Sequence, residues 1–154
     1  MSDMDNLSDS MDTVLDFGEN IEDVKAPDPL PPGDYPAKIT KYELAPNKSD
    51  PDKTNLVLYF TISEDNFPAM FENPNGSGPI TLRKYYPWTP STAVSRKTIA
   101  DVAKCTSVPT NTSKLDLNDL VNEFVKVNVI NERAAQGALE GQLLAQVRKV
   151  LPLD

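Results

Sequence analysis

The sequence predicts a mainly β domain: a small barrel of about five strands with one inserted helix and a short second helix, carried behind an acidic N-terminal arm. Three observations predict it. Apolar and polar residues alternate with a period of two in several short stretches bounded by Pro, Gly, Asn and Asp. In the body of the chain the clearest stretch with the helical period of 3.6 follows Ser91. The formal charge of −8 on 154 residues is confined to one end. Residues 1–32 hold nine acids against Lys25 alone, whereas residues 33–154 carry equal numbers of acids and bases.

The arm repels itself and lacks the apolar content to fold alone. Leu7, Met11, Val14 and Leu15 would form one stripe if the segment became helical, and Phe17 extends the set. The arm is either a solvated tail or a short acidic peptide that docks on a basic groove in its own domain or a partner's. Ala26 to Gly33 is a stiff Pro-rich linker, and the domain boundary falls there: an arm and linker at 1–32, a β domain at 33–154.

Tyr35–Leu44 reads as the first strand, with Tyr35, Ala37 and Ile39 on one face and Lys38, Thr40 and Tyr42 on the other. Asn55–Ser63 is the clearest strand, with Leu56, Leu58, Phe60 and Ile62 inward. A long loop, Glu64–Pro79, follows. Ile80–Tyr86 resumes a strand that Pro87 and Pro90 end. Ser91 can cap the helix, which would bury Val94, Thr98, Ile99, Val102 and Ala103. Asp116 or Ser113 can cap the second helix, with Leu117, Leu120 and Val121 inward. Phe124–Ile130 is a strand with Val125, Val127 and Val129 inward, and Leu143–Leu151 closes the set. A curled sheet of this size closes most economically into a barrel, which removes exposed edges. The oligonucleotide-binding barrel has this strand count and a helix between its third and fourth strands; a β-sandwich is the other arrangement open to these strands.

Composition excludes many chemistries. The chain has no histidine and a single cysteine, Cys105. Histidine triads and shuttles, zinc-protease sites and internal disulfides are therefore ruled out. Cys105 reads as a small apolar residue at a helix end. No Gly-rich phosphate loop and no calcium loop is present, so no cofactor, no metal and no catalytic residue is assigned. No apolar run reaches the ~20 residues that span a bilayer, and the acidic start is unlike a signal peptide. The expectation is a non-catalytic binding or structural protein of a reducing compartment.

The densest chemistry is Leu82-Arg83-Lys84-Tyr85-Tyr86-Pro87-Trp88. Cations beside flat rings suit single-stranded nucleic acid, which offers phosphates and stackable bases. Lys38, Lys41, Tyr42, Lys48, Tyr59, Arg83, Lys84 and Tyr85 are the candidate nucleic-acid contacts, with Lys53, Arg148 and Lys149 as further cations. The plainer alternative is core packing for the rings and a solvated surface for the bases. Leu7, Met11, Val14, Leu15 and Phe17 are the candidate partner contacts.

The chain also resembles a family of small phage proteins commonly taken to be single-stranded DNA-binding proteins of the oligonucleotide-binding type. The resemblance spans about Asp16 to Leu153. It is carried by Asp16-Phe17, Leu30-Pro31-Pro32-Gly33-Asp34-Tyr35-Pro36-Ala37-Lys38-Ile39, and Asn47-Lys48-Ser49 before Leu56–Ile62. Ile99–Ala103 and Leu115–Val121 leading into Val125–Val129 complete it. It implies a partner in single-stranded DNA, a role in replication or recombination, and a place in the host cytoplasm. The arm would reach phage or host replication and recombination proteins, and a homo-oligomer is compatible. A virion structural subunit, capsid-decorating or tail-associated, with its arm laid over neighbours is the alternative. A DNA-mimicking inhibitor that uses the acidic head is a third possibility.

Overall fold

In the computed structural model, residues 13–47, 50, 52–88, 92–135, 137 and 139–153 are described. Five strands form a single antiparallel sheet: β1 (Gly33–Pro46), β2 (Thr54–Ile62), β3 (Ile80–Trp88), β4 (Phe124–Arg133) and β5 (Leu143–Leu151), in the order β3-β2-β1-β4-β5. One α-helix, α1 (Ala93–Lys104), lies in the chain between β3 and β4. No helix among the described residues is long and apolar enough to cross a membrane.

The central strand organises the sheet. The first half of β1, Gly33–Lys38, pairs with β4, and its second half, Lys38–Pro46, pairs with β2. The register shifts between Ile39 and Lys41, so Thr40 is an extra residue, a β-bulge. Ile39 completes the handover: its N–H donates to Glu123 O at 2.8 Å and its carbonyl accepts from Asn122 N at 2.6 Å. Asn122 adopts φ 75° to make this approach, a conformation that asparagine tolerates better than most residues.

Where alternation is unbroken, the pleat does what the pattern predicts. Leu56, Leu58, Phe60 and Ile62 of β2 and Val125, Val127 and Val129 of β4 are buried. They pack with Tyr35, Ala37, Ile39, Tyr86, Val147, Ile99, Val102 and Leu120 in one core. Leu30 belongs to it as well, and its carbonyl accepts from Asn131 Nδ2 at 2.9 Å, so packing begins ahead of the Pro31-Pro32 step.

The sheet curls but does not close into the expected barrel. No backbone ladder joins β3 to β5 among the described residues. Lys84 points inward at this seam and its Nζ donates to Val147 O at 3.3 Å. An inward lysine is one of the ways an edge is kept from pairing. β3 also runs through Pro87 to Trp88 rather than stopping before it, because β3 is an edge strand and a missing N–H on its open side costs no ladder bond.

The helices differ from expectation at their ends. Thr92 caps α1, accepting from Ser95 N at 3.3 Å; Ser91 lies outside the described residues. The buried stripe is Ser95, Ile99, Val102 and Ala103, whereas Val94 is 77% exposed and Thr98 turns its hydroxyl to Val94 O. The second helix is a single 3-10 turn, Leu117–Leu120, capped by Asp116, which buries Leu120. Ser107 fixes the return to β4 through two bonds to Glu123 Oε1, both 2.7 Å. Cys105 closes α1 half-buried, and burial followed by the Asp101 charge pushes its thiol above the ordinary range.

Tyr86 is 2% exposed and its hydroxyl has no hydrogen-bond partner. Burial holds that hydroxyl far above the usual phenol range. An unsatisfied buried hydroxyl costs about 1–3 kcal/mol. Tyr86→Phe is therefore expected to raise the unfolding free energy by about 1 kcal/mol, measured as a higher urea midpoint at unchanged slope.

Candidate nucleic-acid interface

Residues paired across neighbouring strands share a face. On the side of the sheet away from the core, the register builds three rows. Arg83, Tyr59 and Lys41 form the first; Tyr85, Val57 and Glu43 form the second. Thr81, Thr61, Lys38 and Phe124 form the third. The Thr40 bulge makes this possible. Lys38 and Lys41 are three apart in sequence and would face opposite ways in a regular strand, yet both point outward here.

The surface is fastened locally. Thr61 Oγ1 lies 3.0 Å from Thr40 Oγ1 and 2.9 Å from Thr81 Oγ1, a hydroxyl ladder across three strands. Lys41 Nζ stands 5.0 Å above the Tyr59 ring and Lys38 Nζ 5.9 Å above the Phe124 ring, both cation–π distances. Tyr59 donates its hydroxyl to Glu43 Oε1. Lys41 Nζ lies 3.7 Å from Glu43 Oε2. Val57 is buried although it lies outside the core cluster, whereas Tyr85 and Phe124 are 52% and 57% exposed. Three rings, Tyr59, Tyr85 and Phe124, and the cations Lys38, Lys41 and Arg83 thus stand together on these rows.

Two acids share this face. Asp34 accepts from Asn128 Nδ2 at 2.7 Å. Glu43 accepts from Tyr59, and that hydrogen bond, then Lys41 and Arg83, hold its carboxyl below the ordinary range.

The eight residues expected from sequence divide accordingly. Lys38, Lys41, Tyr59, Arg83 and Tyr85 come together. Tyr42 does not: the bulge turns it inward opposite Leu58, where its hydroxyl donates to Asn118 Oδ1 at 2.9 Å. Lys84 is on the inner side, in the β3–β5 seam, 5.5 Å from the Tyr86 ring centroid. Lys48 lies outside the described residues. Of the further cations, Lys53 pairs with Asp50 at 3.8 Å, and Arg148 Nε donates to Asn128 Oδ1 at 3.0 Å. Lys149 pairs with Asn128 in the β4–β5 register. In the arm, Val14, Leu15 and Phe17 are exposed, and Leu7 and Met11 lie outside the described residues.

Sequence reasoning missed Phe124, Glu43 and the threonines. Phe124 was legible: it is out of phase with Val125, Val127 and Val129, hence outward. No group of acids and thiols able to hold a metal ion occurs among the described residues. No protein-family model matches the chain, and no curated protein matches it.

The Tyr59 hydrogen bond is the largest influence on Glu43. A depressed carboxyl contributes stability that is present above its unfolded value and lost as pH falls through the folded value. Tyr59→Phe is expected to return Glu43 toward the ordinary carboxylate range, so that this contribution shrinks and less stability is lost as pH falls. A carboxyl-detected NMR titration of both forms reads the change.

Proposed function

We propose that this chain binds single-stranded DNA non-specifically and without catalysis, on the outer face of β1, β2 and β3, as a phage-type accessory of replication or recombination in the host cytoplasm. The observation that carries the reading is the row Arg83–Tyr59–Lys41, flanked by exposed Tyr85 and by Lys38 over Phe124. Rings there can stack on bases while the cations meet phosphates, and neither contact depends on base identity.

The fold supports the same reading. Oligonucleotide-binding folds are partly open five-stranded barrels that use the face of strands two and three and the loops joining strands one to two and four to five. The present five-stranded antiparallel sheet, with β1 shared between β2 and β4 and a helix between β3 and β4, is compatible with such a barrel left open between β3 and β5, which supports the reading. Its own rings and bases gather on the matching face, and Lys48 belongs by sequence to the β1–β2 connection. The resemblance to the phage family points the same way.

A second reading rests on the arm, where Val14, Leu15 and Ile21 are 76%, 78% and 74% exposed. Apolar side chains so displayed suit a virion subunit whose arm orders on its neighbours. High, symmetric copy number in purified particles would favour it over the first.

Titration of the protein against a fluorescent oligonucleotide of about 30 nucleotides at low salt tests the main proposal; absence of binding removes it. Tyr85→Ala is expected to weaken binding by about 5- to 100-fold, the worth of one stacked base. Contacts at Lys38, Lys41 and Arg83 predict a log–log salt slope of about −2 on a single strand, reduced by about 0.7 in Arg83→Ala. Glu43→Gln removes a charge that repels phosphate and releases Lys41. It is expected to tighten binding by about three- to fivefold, the scale of one like-charge contact in water. Lys84→Met, altered on the inner side, is expected to leave affinity unchanged.

A further inference from the structure

A cleft of about 640 Å³ opens between α1 and the chain that follows it. Its wall is apolar: Trp88, Ile99, Ala103, Leu115 and Leu117. Arg96, Lys104 and Lys114 stand around it. The volume falls in the range of roughly 300–1,000 Å³ that takes ligands or groups of side chains. Residues 93–115, which supply most of the wall, carry Arg96, Lys97, Lys104 and Lys114 against Asp101 alone. The cleft is apolar within and basic at its rim, and it is separate from the outer face, because Trp88 has the inward register of Tyr86.

The N-terminal arm has the opposite character. Residues 13–24 contain Asp16, Glu19, Glu22 and Asp23 and no base. Their apolar members are displayed, Leu15 at 78%, Phe17 at 51% and Ile21 at 74% exposure. Residues 1–12 add four aspartates, Leu7 and Met11. Exposed apolar groups interleaved with acids are the complement of an apolar cleft ringed by bases.

We infer that the arm of this chain docks intramolecularly in the α1 cleft, seating Leu15 and Phe17 against Trp88, Ile99 and Leu117 with its carboxylates on Lys104 and Lys114. The tether allows it. Leu30 anchors the arm in the core, and the 13 residues from Phe17 to Leu30 reach about 45 Å when extended. A domain of about 120 residues has a radius of gyration of about 14 Å, so the whole surface is within reach. Tethering supplies an effective concentration of the order of millimolar, so a contact too weak to hold a free peptide still fills the cleft. The contact does not require that the outer face bind nucleic acid.

Trp88 is the only tryptophan in the chain and lines the cleft, so its emission reports occupancy. The experiment compares full-length wild type with the double variant Leu15→Ser/Phe17→Ser and with Lys104→Glu/Lys114→Glu, reading emission maximum and quenching by neutral acrylamide. The altered side chains lie outside the core, and far-UV circular dichroism checks that each variant is folded. Docking predicts a blue-shifted, protected Trp88 in wild type, and a red shift with faster quenching in both variants. It also predicts that 1 M salt moves wild type toward the variants, and that dilution has no effect. Identical quenching in wild type and Leu15→Ser/Phe17→Ser overturns the inference. Protection that fades on dilution together with a dimer in sedimentation also overturns it, assigning the cleft to the arm of a second copy.

Discussion

The structure depends on one extra residue in its central strand. Thr40 is inserted between Ile39, which faces the core opposite Phe60, and Lys41, which faces solvent opposite Tyr59. Because side chains alternate, a single insertion inverts the facing of everything after it. Without the bulge, Lys41 and Glu43 would point at Leu58 and Leu56, and Tyr42 would point at solvent. The same insertion bends β1, which lets its two halves pair with β4 and with β2. The curl of the sheet and the content of its outer face thus have one origin.

That is also why the first strand was only half legible. Tyr35, Ala37, Ile39 and Lys38 precede the insertion and sit where alternation puts them; Tyr42 follows it and does not. No glycine marks the site, and Thr40 reads as an ordinary strand residue. The strands without an early break, β2, β3 and the first part of β4, follow their pattern, so Arg83 and Tyr85 separate cleanly from Lys84 and Tyr86. Helix existence was legible from the period, whereas its cap depended on which of two adjacent hydroxyls reached Ser95 N. Ile99, Val102 and Ala103 are buried as the period predicts; only the first turn differs, where Ser95 rather than Val94 faces the core and Thr98 lies at the margin of the stripe. Closure was not legible, since it depends on the distance between β3 and β5, and a lysine side chain spans that seam.

Lys38, Lys41 and Arg83 share the outer face with Glu43, and farther toward β5 the register sets Lys126 and Lys149 on the same side as Asp34. What distinguishes the surface is the pairing of cations with rings and the engagement of both carboxylates by neighbours. A binding mode built on this surface draws its free energy mainly from stacking, worth about 1–3 kcal/mol per base, with phosphate contacts setting orientation.

The arm then changes the electrostatics of the whole molecule. Residues 1–32 carry the entire net charge, and a neutral body joined to them meets any polyanion through their field. At physiological ionic strength charges beyond about 8 Å are screened, so the arm opposes such a ligand only when it lies near the ligand's path. In the docking inferred above, the wall built from α1 and the inward-facing Trp88 would hold the arm on the helix side, and each carboxylate held there would be withdrawn from the outer face. On the two proposals together, added salt would act on contacts of opposite consequence: it would weaken phosphate binding at the outer face, and it would weaken the hold of α1 on the arm while shortening the reach of the released charges.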